Sequence, residues 1–125
     1  MSKELIIHES DIKSLDFIAN LQADSVLECC RVSLIALTEG NQLSSKALAK
    51  AASKLSLEQL VVENGLKALG HLFLQSAKQM KNQSRCLASY HHLGIPKADI
   101  LSEFCFQEAI PLISIFISVL LSQII

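Results

Sequence analysis

The chain has 125 residues, 11 basic and 12 acidic side chains, and a formal net charge of −1. Half of it is apolar, only 5% is aromatic, and it contains no Trp. That is one domain's worth of chain, with too few Gly and Pro for a β-sandwich and no basic stripe to neutralise phosphates, so no nucleic-acid partner is expected. The remaining fold class is all-α, a compact irregular bundle of about six helices.

Met1-Ser2-Lys3 leads into Glu4 and a short apolar run, which does not read as a signal peptide. Cys29, Cys30, Cys86 and Cys105 are therefore expected to be reduced, buried thiols in a cytosolic protein.

A first helix is expected over 11–20, with Ser10 as its N-cap and Ile12, Leu15 and Ile18 on one face. A second begins at Asp24, carries the stripe Leu27, Cys30, Leu34 and Leu37, and ends at Gly40. After a loop at 41–45, Ser45 caps an alanine-rich helix over 46–54 whose Leu48, Ala51, Ala52 and Leu55 face inward. Its small side chains would let two helix backbones approach closely. Ser56 and Gln59 are spaced as a capping box, and Leu55 and Leu60 as a hydrophobic staple. The helix they start runs to about Lys81, and its apolar set of Leu57, Leu60, Val61, Ala68, Leu69, Leu72, Phe73, Ala77 and Met80 covers enough circumference to make it central. Ser84 caps a two-turn helix with Leu87, Tyr90 and His91. Gly94 closes that helix, and Pro96 opens a last one over 97–107 that buries Ile100, Leu101, Phe104 and Cys105.

From Ala109 to Ile125 no residue is charged. The segment reads as a tail following a helical domain over 1–108. Its β-branched alternation suits a strand, but nothing upstream offers a sheet for it to join. As a helix it would be buried almost all round. Its 17 residues sit at the short edge of the ~17–25 that span hydrocarbon, and a proline, three serines and a glutamine argue against a span. Packing onto the bundle or contact with a partner leads, with Ile113, Phe116, Val119 and Leu120 as candidate contact residues. A small tail-anchored membrane protein with a cytosolic helical domain is the alternative.

The series Lys54-Leu55, Ser56, Val61-Val62, Leu66, Leu69, Leu72 and Ser76-Ala77-Lys78, followed by Leu93-Gly94-Ile95-Pro96-Lys97, resembles the amino-terminal helical domain of the COMM-domain-containing proteins. The resemblance covers roughly residues 10–108. It is to that half alone: the family's carboxy-terminal COMM domain is built around a Trp-containing strand and mediates dimerisation, and this chain has no Trp. The resemblance implies a non-enzymatic adaptor or scaffold. Its partners would be other COMM-domain proteins and long coiled-coil proteins, in a complex serving endosomal cargo recycling. It also implies links to nuclear factor kappa B signalling and to cullin ubiquitin ligases, in the cytoplasm and in association with endosomes.

No catalytic residue, cofactor or metal is expected. His91-His92 with His71 or Cys105 lacks chelating spacing, and adjacent residues on a helix point about 100° apart. One of the two histidines is expected to face in and the other out. Cys29-Cys30 lacks the two-residue spacer of redox motifs. Gly65 and Gly70 read as close packing of a neighbouring helix rather than a notch for a peptide. Glu28, Glu58, Glu63, Glu103 and Glu108 read as solvated surface, with no pair placed for acid–base work.

Overall fold

The computed structural model describes residues 5–39 and 44–124, and these fold as helices with no strand among them. In chain order they are α1 (Glu9–Ser14), a 3₁₀ turn (Leu15–Ile18), α2 (Ala23–Glu39), α3 (Ser45–Leu55), α4 (Gln59–Gln79), α5 (Gln83–His92), α6 (Ala98–Phe104), a π-helical turn (Cys105–Ala109) and α7 (Ile110–Ile124). Gly40 and the loop at 41–43 lie outside the described residues.

The central helix is α4, which packs against α1, the 3₁₀ turn, α2, α3, the π turn and α7. Two adjoining stripes explain this. Val62, Leu66, Leu69, Phe73 and Ser76 step by four, three, four and three, and Gly65, Ala68 and Leu72 lie beside them; all eight are buried. That phase turns Leu60 and Val61 outward, 63% and 39% exposed, so neither belongs to the core as the sequence suggested. The Phe73 and Phe104 rings meet between α4 and α6 with centroids 5.3 Å apart, tilted by 39°. Phe17 lies on the bare backbone of Gly65, and a Cβ there would fall 2.9 Å from the ring Cζ and closer still to other ring atoms. The glycine is thus a packing site, as expected.

The helix ends correct several boundaries. Ser56 is no N-cap. It adopts φ 58° and ψ 42° and closes α3 as a Schellman motif, its N–H donating to Ser53 O at 3.2 Å and that of Leu57 to Ala52 O at 2.9 Å. The N-cap of α4 is Glu58, with no side-chain bond. The residues with staple spacing become Leu57 and Val62 rather than Leu55 and Leu60. Ser44, not Ser45, caps α3 by accepting from the Ala47 N–H at 3.1 Å. Asn82, not Ser84, caps α5 by accepting from the Arg85 N–H at 2.9 Å. α1 starts at Glu9, so Ser10 lies inside it and caps nothing.

Gly94 closes α5 at φ 73°, with Gly94 N–H to His91 O at 3.1 Å and Ile95 N–H to Tyr90 O at 3.0 Å. Lys97, itself left-handed at φ 55°, stands between Pro96 and α6, so the proline does not open that helix. The apolar tail is helical. Pro111 can supply no N–H and crowds the carbonyl four residues back, and the wide π turn just before it is where the ordinary ladder is already interrupted. α6 and α7 therefore run on without a loop, and no turn separates residues 108 and 109.

Candidate functional site

Three places in the bundle bring together side chains capable of binding or chemistry. The first is an open groove of about 440 Å³ where α2, α3 and α4 meet. Its apolar lining comes from Leu27 and Val32 of α2, Ala51 and Leu55 of α3, and Val62 and Leu66 of α4. Ala51 is the small residue that keeps the cleft between the helices open. Asp24, Glu28, Arg31 and Lys54 stand exposed at its edge, giving a rim of both signs. Arg31 Nη1 and Glu28 Oε2 are 3.5 Å apart. Cys29 reaches the lining too, but burial, reinforced by the Glu28 charge, pushes its thiol up to about 11. Such a thiol is neutral at physiological pH and a poor nucleophile.

The second place is a recess where the amino-terminal segment crosses α4. His71 Nδ1 lies 3.2 Å from Asp11 Oδ2. Gln79 clamps the chain beside it, accepting from the Ile6 N–H at 2.8 Å while its Nε2 donates to Ile6 O at 3.0 Å and to Gln75 Oε1 at 2.9 Å. A carboxylate orienting an imidazole is half of a nucleophile-activating arrangement. Among the described residues, no Ser, Thr or Cys is hydrogen-bonded to that imidazole. The recess ties down the chain.

The third is buried. Ser76, Cys86, Tyr90 and Cys105 meet between α4, α5 and the π turn, all fully shielded from solvent. Hydrogen bonding from Cys105 is the largest influence on the Cys86 thiol; with help from Tyr90 and Ser76 it outweighs burial and holds the thiol down at about 7. Burial, with the neighbouring sulfurs, pushes the Tyr90 phenol well above its usual value. With no opening to solvent, the cluster serves as a satisfied polar knot in the core.

The residues singled out from sequence fall in different places. Ile113 is 3% exposed and packs into the core, so it is no surface contact, whereas Phe116, Val119 and Leu120 are 38%, 50% and 43% exposed on α7. His91 and His92 are both exposed, correcting the expectation of one in and one out; the nearest approach is His91 Nε2 to Asp99 Oδ1 at 3.6 Å. Among the described residues, no three His, Cys, Asp or Glu side chains converge as metal ligands. Cys29 and Cys30 are unbridged and buried, and Cys30 lies fully in the core stripe of α2. Glu63 pairs with Lys67 at 3.5 Å on the surface of α4. The groove went unnoticed in the sequence, because its walls come from three helices whose crossing no single stripe records. No known protein family and no curated protein matches the chain.

Proposed function

We propose that this chain is a non-enzymatic protein–protein interaction module, and that the groove between α2, α3 and α4 receives an amphipathic helix of its partner. The observation that carries the reading is the groove's construction: an apolar floor bounded by Asp24, Glu28 and Arg31 on α2 and by Lys54 on α3. Helix-in-groove recognition needs that combination, since an apolar stripe supplies the contact and flanking charges set register and orientation. The fitting occupant carries an apolar stripe bordered by charges of both signs, which is the surface of a coiled-coil strand. This agrees with what the sequence resemblance implies, an adaptor in a multi-subunit assembly of COMM-domain and coiled-coil proteins in endosomal recycling, nuclear factor kappa B regulation and cullin ligase control. The exposed Leu60 and Val61, on the first turn of α4 just ahead of Val62 in the groove wall, extend the apolar contact.

Affinity purification from cells tests it. The chain is expected to recover COMM-domain or coiled-coil proteins, and Ala51→Glu, which places a charge in the cleft, is expected to lose them while the helical circular dichroism and melting temperature hold. Recovery of neither class, or recovery unchanged by Ala51→Glu, would overturn the reading.

A further inference from the structure

Beyond Ile113, α7 leaves the bundle. Ile115, Phe116, Ile117, Val119, Leu120 and Leu121 are 38–61% exposed. At about 100° per residue these six positions spread over roughly two-thirds of the helix circumference. That is unlike the surface helices of the bundle, where one stripe is apolar and the remainder polar. A protein groove covers a stripe. A medium that wets a helix on nearly every side is the hydrocarbon of a lipid bilayer.

Other features of the segment fit the same medium. As a helix it satisfies its backbone polar groups internally, which hydrocarbon demands. The Ser122 hydroxyl donates to Val119 O at 2.9 Å, so this polar side chain is satisfied within the helix. No residue from Ala109 onward carries a charge, while Glu103 and Glu108 stand exposed just before it. The uninterrupted helix Ala98–Gln123 contains a window of mean hydropathy 2.0 of which only 22% is buried inside the bundle. At ~1.5 Å per residue, the 11 residues of α7 that follow Ile113 reach about 16 Å, roughly half the ~30 Å of an average hydrocarbon core. A helix of that length favours thin bilayers.

We propose that the part of α7 beyond Ile113 inserts into the hydrocarbon core of a lipid bilayer, with the bundle in water. No Lys or Arg follows Lys97, so the attraction is apolar, and electrically neutral phosphatidylcholine suffices. The insertion is independent of the groove: the bundle binds its protein partner while α7 holds it at a membrane.

The absence of Trp makes the test clean, because Phe116→Trp reports from a single place. With phosphatidylcholine vesicles the variant is expected to float with the lipid, shift its emission to the blue, and be quenched by bromine-labelled acyl chains. Binding is expected to be stronger for short-chain than for long-chain vesicles. Adding Leu120→Lys is expected to reduce flotation at least tenfold while the bundle's melting temperature stays put. A protein that stays with the aqueous fraction overturns the proposal. So does one whose emission is already blue-shifted without lipid and does not change on adding vesicles, since a second copy then covers α7. Leu120→Lys leaves the groove untouched, so flotation that Leu120→Lys does not reduce sinks this proposal alone, with the partners still recovered.

Discussion

The hydroxyls of Ser76 and Tyr90 lie 2.7 Å apart, joining the last turns of α4 to α5 in a region that water does not reach. Removing one partner strands the other. Ser76→Ala is expected to cost about 1–3 kcal/mol, because the Tyr90 phenol then sits buried with only thiols beside it. Tyr90→Phe costs less, since a serine on a helix can turn its hydroxyl back to a carbonyl of its own helix. The double variant is expected to lose less than the sum of the two. A double-mutant cycle by urea denaturation measures this, and simple additivity would show that the bond contributes nothing.

The glycines of α4 separate packing from helix propensity. Gly65→Ala drives a methyl group into the Phe17 ring and is expected to destabilise by about 1–3 kcal/mol, seen as a melting temperature several degrees lower. Phe17→Leu in the same chain is expected to recover part of the loss. Gly70→Ala meets nothing nearer than Ser33 O at 3.9 Å, an ordinary contact, so alanine's helix preference acts unopposed there. It is expected to stabilise by up to about 1 kcal/mol.

Ser56 distinguishes two accounts of the α3–α4 junction. At φ 58° it occupies the left-handed position where glycine is unstrained, so Ser56→Gly is expected to stabilise by about 1 kcal/mol. A capping serine would instead lose a few tenths on the same change. Ser44→Ala, which does remove a cap, is expected to cost about 1 kcal/mol. Thermal melts of the two variants should move in opposite directions.

Alkali should unfold the bundle through its buried acids. Burial pushes Cys29 up to about 11 and Cys30 up to about 12 from the ordinary 9.0, and it raises Tyr90 as well. Groups whose folded values are raised this way contribute fully below pH 9 and lose that contribution as the pH climbs towards 11–12. The slope approaches about 1.4 kcal/mol per pH unit for each thiol within the window. Cys86, held down at about 7 from 9.0, acts in the opposite sense, gaining stability as the pH rises from 7 to 9 and adding little slope above 10. Urea midpoints at pH 9.5, 10.5 and 11.5 should fall progressively, and Cys30→Val should flatten the decline; a flat profile in the parent chain would contradict the buried placement.

Much of the bundle was legible in the order of side chains, because a helix packed against others must repeat its apolar residues. The stripe through Leu69, Leu72 and Phe73 marked α4 as central, and Gly94 marked the end of α5. The misread boundaries share one cause. Ser56 can cap a start or terminate an end, and its choice depends on how α3 and α4 meet rather than on its neighbours in sequence. The charge-free run at 109–125 was ambiguous for a related reason. Its β-branched residues favour a strand locally, and only the continuation of α6 through the π turn selects a helix. The Asp11–His71 pair, 60 residues apart, and the groove arise from tertiary crossing, which leaves no periodic trace.

The π turn at Cys105–Ala109 has a mechanical consequence. Because it widens the coil instead of breaking it, α6 and α7 form one continuous helix seated on the bundle at Phe104 and again at Ile113. Deleting one residue from the wide turn would spin the outer arm by about a quarter revolution and pull Ile113 off its seat.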